Sequence, residues 1–326
     1  MAGIHAGDLV VRRATEADAG QVIDLLRASL NKSSDPNYEA FLAWKHHDNA
    51  FGESPAWVAL HGETVVGYRT FLRWRFRTPD DQTLTAVRAV DTATLPGYRG
   101  LGIFRRLTLQ GVADLTLDDV GLVFNTPNDK SRPGYLKMGW SPVRRLPVGI
   151  LPRGGRSVVR MLTARVPAAL WSEETGCGLD AAAALADPVV AEALLQHAPR
   201  KGLRTDRTPA YLAWRTSFGP LRYRLLLASP NDPAEGGIIF RLRRRGDTIE
   251  AAVIEQLVPD PVIGARLVTR MLTQTGADYA IGLRTGPSAG LIPLPGQGPQ
   301  LTARPLSATP PPAAAWRLTL GDVELF

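Results

Sequence analysis

Three stretches of the sequence carry side chains and amides at spacings suited to chemistry. The first is Tyr98-Arg-Gly-Leu-Gly-Ile-Phe104, set between a strand-like and a helix-like segment. Its glycines let the backbone come close to a ligand. The amides of residues 100–104 then stand at a helix N-terminus, where unpaired N–H groups and the helix dipole favour an anion. A pyrophosphate fits, with Arg99, Arg105 and Arg106 adding positive charge; the plain alternative is a tight turn with solvated arginines. The second stretch, Asn128 to Trp140, reads as a polar loop, a short helix bearing Tyr135 and a glycine stop. Read by itself, a tyrosine there is a buried hydroxyl that satisfies a partner. The third is Asp91, near the end of a strand otherwise made of Ala, Val and Thr; either desolvation there raises its pKa and suits it to act as a base, or it points away or caps a loop. Glu53, His46 and His47 are further candidates for that role, with His46-His-Asp48 equally readable as a surface turn.

Other chemistries find little support. The Walker pattern GxxxxGK[ST] is absent and the GxGxxG fingerprint is unmatched, so triphosphate hydrolysis and hydride transfer are not expected. The single cysteine, Cys177, excludes a disulfide framework within the chain and a multi-cysteine zinc site. It has no histidine beside it, which argues against an acyl-cysteine route. The five histidines do not fall into a ligand spacing, so no metal is expected.

The net charge is +7, mostly from scattered arginines. The one dense run, Arg241-Leu-Arg-Arg-Arg245, is expected to be a solvated sheet face, and nucleic acid is not favoured as a partner. No apolar run approaches the roughly 18 residues of a membrane span, and the N-terminus lacks a basic region followed by an apolar core. A cytoplasmic protein is expected. Its 326 residues correspond to about two domains.

The elements that must position these groups follow from periodicity. Leu9–Arg13 alternates as a strand, and Thr15-Glu-Ala-Asp18 opens a helix running to about Leu30. Phe41–Lys45 predicts a short helix. Ala56–Leu60 and Thr64–Phe76 form a hairpin, with Leu72, Trp74 and Phe76 on one face and Arg73, Arg75 and Arg77 on the other. Strands are expected at Leu84–Ala93, Val120–Phe124 and from Trp140, with helices after Gly102 and at Gly134–Met138. This order predicts an α/β fold with a mixed sheet.

The remainder looks like a worn second copy. Tyr211-Leu-Ala-Trp-Arg215 echoes Phe41-Leu-Ala-Trp-Lys45, and strands at Tyr223–Ala228, Gly237–Arg245 and Thr248–Val258 precede a helix at Ile263–Thr273 and a strand at Tyr279–Leu283. Pro293–Ala315 reads as an irregular loop and Trp316–Phe326 as a closing strand.

Taken together and in order, the first two stretches resemble the GNAT superfamily of acyl-CoA-dependent N-acyltransferases. Arg99 and Gly102 match its R/Q-x-x-G-x-G/A loop, with Phe104 where Gly or Ala is usual; Asn128, Tyr135, Gly139 and Trp140 match its second motif. The likeness covers roughly residues 9–145, and more loosely the whole chain looks like two-copy members: Eis-type aminoglycoside acetyltransferases, mycothiol synthase and Fem-like transferases. The resemblance implies tandem GNAT-like domains, residues 1–148 catalytic and 149–326 degenerate and closing an acceptor cleft. It implies acetyl-CoA or another short acyl-CoA as co-substrate, held by Thr92, Ala93, Thr94, Arg99, Gly100, Leu101, Gly102, Ile103, Phe104, Arg105, Asn128 and Ser131. It also implies a small-molecule amine as acceptor, Tyr135 as proton donor to the CoA thiolate, and Asp91, a water chain or the Phe326 carboxylate as base. The second copy has Pro259-Asp-Pro-Val-Ile-Gly264 where the anion loop would lie, so one CoA site per chain is expected. A Fem-like transfer from charged tRNA and a non-catalytic CoA-binding module are the alternatives.

Overall fold

The strong alternation of the long hairpin and the two helix-forming stretches around it build a mixed sheet, and the same plan recurs further along the chain. The computed structural model describes residues 5–30, 34–164, 166–284, 290–309 and 311–324. Among these, two mixed sheets of eight strands each organise the fold. The first runs β1 (Leu9–Arg13), β2 (Ala56–His61), β3 (Thr64–Arg77), β4 (Thr83–Thr94), β5 (Leu122–Asn125), then the strand Gln300–Pro305 and β6 (Ser141–Arg145), with Arg204–Thr205 pairing to β3. Strands β1 to β4 are antiparallel neighbours, whereas β4 and β5 are parallel and joined by helix α3 (Ile103–Leu117). The second sheet centres on β7 (Val148–Pro152) and the strands Tyr279–Leu283, Thr248–Leu257, Asp232–Arg245 and Arg224–Ser229.

Three cores stack these layers. Helix α3 and helix α4 (Arg132–Lys137) cover one face of the first sheet over Trp57, Phe71, Leu107 and Tyr135. Its other face shares a continuous core with the second sheet, filled by helices α1 (Ala19–Ser29), α2 (Tyr38–His46) and Pro209–Ser217. The helix Pro261–Thr275 closes the far side. In β3 the predicted alternation holds: Leu72, Trp74 and Phe76 are buried in the shared core, while Arg75 and Arg77 reach across to Asp206 at 2.6 and 2.9 Å. The packing of helix α3 on the sheet uses the missing side chain of Gly67 on β3; a Cβ there would lie 2.4 Å from Ile103 Cγ2.

Two expectations for the C-terminal region are overturned. Gln300–Pro305, inside the stretch read as loop, is a strand inserted between β5 and β6. Leu301 and Ala303 are buried, and Pro305 ends the strand. The surrounding prolines hid this short strand, because proline is tolerated at the end of a strand though not in its middle. Trp316 and Leu318 are buried alternately as a strand would bury them, but the segment forms only an isolated bridge, Leu203 to Trp316, and short 3-10 turns.

The Arg241–Arg245 run is a solvated face only in part. Arg241 is fully buried and bonded to Glu324, and Arg243 pairs with Glu250 and Glu324, whereas Arg244 is exposed and pairs with Glu173. Carboxylates from three other segments neutralise the run.

Candidate active site

The site begins where two strands part. The β4–β5 ladder is made by Ala86, Val87 and Arg88, after which β4 continues to Thr94 while β5 ends at Asn125. Asp91 is the extra residue of a bulge: Arg69 pairs with Thr92 and Thr70 with Val90, leaving Asp91 between them at φ 34°. Thr92 then anchors itself by donating its hydroxyl to the Tyr68 carbonyl at 3.0 Å.

Beyond β4, a turn at Pro96–Tyr98 leads into α3, and the Tyr98 hydroxyl lies 2.9 Å from His61 Nδ1. Gly100 and Gly102 have φ of 86° and 72°, left-handed values that glycine adopts without strain. The first amide of this region with a backbone acceptor inside the helix is Arg106, bonded to the Gly102 carbonyl. None of the amides from Gly100 to Arg105 is bonded to a protein acceptor among the described residues. This row of donors at a 15-residue helix, with exposed Arg99 and Arg105 beside it, fits a diphosphate. Arg106, expected to join them, instead bonds the Leu9 carbonyl at 3.0 Å.

The corresponding helix of the second half is already capped. Asp260 accepts from the amides of Val262 and Ile263 at 2.7 and 3.0 Å. The second half keeps a bulge in the matching strand pair, between Ile239 and Phe240, but the residue it leaves unpaired is Ile254, fully apolar and buried.

Tyr135 lies on the α3 side of the sheet. Its ring meets Phe104 edge-on at 5.4 Å and Trp140 at 5.2 Å, and its hydroxyl accepts a 2.6 Å hydrogen bond from Arg69 Nη2. Phe104 therefore points inward, toward α4; the absent side chain of Gly134 leaves it room, with 3.3 Å from an added Cβ to the ring. Asn128 and Ser131 shape the start of α4: Asn128 Oδ1 accepts from the Ser131 amide and hydroxyl at 2.9 and 3.1 Å.

Asp91 faces the opposite side of the sheet. Burial acts to raise its pKa, but Lys45 Nζ at 2.7 Å and His46 Nε2 at 2.8 Å both contact its Oδ2 and hold it below the usual carboxylate range. The expected upward shift is thus reversed, because a buried ammonium outweighs desolvation. Burial keeps the His46 pKa lowered despite Asp91, so its imidazole is neutral and Nε2–H donates to the carboxylate. Its Nδ1 is buried without a partner among the described residues. His47 and Glu53 pair with each other at the exposed surface. Phe326 lies outside the described residues.

Lys45 and Arg69 escaped the sequence reading. Arg69 sits inside the mostly apolar run Val65–Leu72 and Lys45 directly follows Phe41–Trp44, and a charge in or against such a run is the one signal that marks it. Cys177 lines a hollow of about 560 Å³ with Arg270 and Gln274 in the second half. Burial pushes its thiol pKa up, the wrong direction for a nucleophile. That hollow contains none of Asp91, Tyr135 or the loop amides; the geometry of those groups, rather than volume, locates the chemistry. No group of His, Cys, Asp or Glu among the described residues is arranged to hold a metal, and no described helix is long and apolar enough to cross a membrane.

The family model described as acetyltransferase (GNAT) domain matches residues 10–143. None of the curated proteins matches the sequence. A probable N-acyltransferase from Enterococcus faecalis V583 superposes with a TM-score of 0.63 at 14% identity, over 92% of this chain and 73% of its own. A GCN5-related N-acetyltransferase from Anabaena variabilis gives 0.63 at 15%, over 91% and 73%. Eis1 from Mycobacterium abscessus gives 0.57 at 14%, over 92% and 74%. At these identities the superpositions establish the fold, and the family match is confined to residues 10–143. Residues 10–143 match a GNAT acetyltransferase domain, and the chain shares with these structures a fold of two GNAT-like halves.

Proposed function

We propose that the chain moves an acetyl or other short acyl group from acyl-CoA to a primary amine on a small molecule such as an amino sugar, an aminoglycoside-like compound or an amino-acid derivative. Residues 1–148 carry the reaction and residues 149–326 close the acceptor side. The observation that carries this reading is the row of amides from Gly100 to Arg105 with no protein acceptor, beside a tyrosine buried against Phe104. The amides would hold the CoA diphosphate, and the gap past Arg88 between β4 and β5 would admit the thioester arm.

The chemistry then follows from simple requirements. The neutral amine nitrogen bonds to the acyl carbon, the C–S bond breaks, and the thiolate takes the Tyr135 proton. Backbone N–H groups at Thr92–Thr94 would polarise the thioester carbonyl. The proton lost by the amine passes to a base, either Asp91, which Lys45 holds ionised, or a water chain that leads to solvent. Solvent returns a proton to Tyr135, so the balance is one amide and one free thiol per turnover.

Calorimetric titration with acetyl-CoA, followed by thiol release across a panel of amines, tests the reading. Binding with turnover is expected. Binding with no turnover on any amine would favour a CoA-sensing module, and tRNA binding in place of CoA would favour aminoacyl transfer. Tyr135→Phe should lower kcat by about 10²- to 10⁴-fold, the usual worth of a general acid, with acetyl-CoA affinity kept.

A further inference from the structure

Arg69 is an anomaly of the first half. It is fully buried on β3, and no carboxylate pairs with it among the described residues. Its Nε and Nη1 have no partner there, and its one hydrogen bond goes from Nη2 to the Tyr135 hydroxyl. The guanidinium is held over three rings, Phe71, Phe104 and Tyr135, with its carbon 4.9 to 5.6 Å from their centroids. Burying a cation without a counter-charge is costly, and cation–π contacts recover only part of that cost. The matching position of the second half, next to its own bulge, is Ile239, so the scaffold itself does not require a charge there.

We infer that Arg69 is a positioning residue for the Tyr135 proton. The inference rests on the proposed role of Tyr135 as donor. A guanidinium can only donate, so at 2.6 Å the phenol oxygen is the acceptor and its own O–H is directed elsewhere. A buried tyrosine next to a carbonyl would commit its proton to that neighbour; next to Arg69 it keeps the proton available. When the C–S bond breaks and the proton passes to the thiolate, the phenolate left behind faces a fixed cation in a water-poor site, where such an interaction is strong. The rings of Phe71 and Phe104 set the plane of the guanidinium, which accounts for Phe104 where the family loop has a small residue.

The test is a double-mutant cycle on the full chain with Arg69→Met, Arg69→Lys and Tyr135→Phe, reading kcat, KM and the Kd for acetyl-CoA. Arg69→Met should lower kcat by about 10- to 100-fold, the worth of a charge-assisted hydrogen bond, with Kd changed little. Arg69→Lys should recover part of it, since an ammonium can donate to the same oxygen. In the Tyr135→Phe background, Arg69→Met should cause no further loss. The same fold loss in both backgrounds, or full activity of Arg69→Met when Tyr135→Phe is slow, overturns the inference. Full activity of Tyr135→Phe instead removes Tyr135 as donor, and this inference with it. Should Arg69→Met fail to fold, the cycle is run with Arg69→Lys, whose loss must likewise vanish in the Tyr135→Phe background.

Discussion

Trp44 and Trp214 each donate their indole N–H to the other's main-chain carbonyl, at 2.8 and 2.9 Å, with the rings stacked 5.4 Å apart. The exchange joins the two Leu-Ala-Trp helices about a local two-fold relation at the centre of the shared core. A buried carbonyl left without its donor costs about 1–3 kcal/mol. Trp214→Phe should therefore lower the unfolding free energy by that amount. Because one core spans both sheets, calorimetry should show a single transition for the whole chain; two separable transitions would contradict the shared core.

The contrast between Gly102 and Asp260 makes a second prediction. Both residues cap a 15-residue helix, but only Asp260 places a carboxylate on the first amides. Gly102→Asp should weaken acetyl-CoA binding by about tenfold or more, since an anion would then occupy the phosphate position. Gly102→Asn carries a similar backbone strain without the charge and should lose less. Equal losses in the two variants would mean that backbone shape, not charge, governs the loop.

Asp91 links stability to chemistry. Asp91→Asn leaves Lys45, which is 2% exposed, without its counter-charge. Breaking such a buried pair costs about 3–5 kcal/mol. Adding Lys45→Met should restore much of the stability, as measured by denaturant unfolding. Turnover should stay low in the double variant, because the base is still missing; recovery of turnover would exclude Asp91 from that role.

Glu324 sets an acid limit on stability. Burial acts to raise its pKa, but Arg241, Arg243 and Arg215, with a hydrogen bond from Tyr223, lower it from 4.5 to about 2. A carboxylate depressed on folding contributes stability that is present above its unfolded pKa and lost as pH falls through the folded one. The wild type should exceed Glu324→Gln by about 3 kcal/mol at neutral pH. That margin should close between about pH 4.5 and 2. A margin independent of pH would place the Glu324 contribution in packing rather than charge.

The motif-bearing parts of the site were legible because they are local. A glycine-rich turn before a helix, an Asn seven residues ahead of a Tyr and the alternation of β3 are all set by neighbours in the chain. The duplication showed in Leu-Ala-Trp at 42–44 and 212–214, whose contact the structure then supplied. The direction of the Asp91 shift was not legible: desolvation can be read from an apolar run, but a salt bridge from a helix 45 residues earlier cannot.

What the sequence determined by itself was therefore the order of elements, the anion-ready turn and the candidate tyrosine, since each depends on backbone conformation within a few residues. Only the tertiary structure decided which charges meet: Lys45 with Asp91, Arg69 with Tyr135, Arg241 with Glu324. It also decided that Gln300–Pro305 returns to the first sheet. Electrostatic pairing and strand insertion act between groups brought together by packing, at sequence separations that no local pattern encodes.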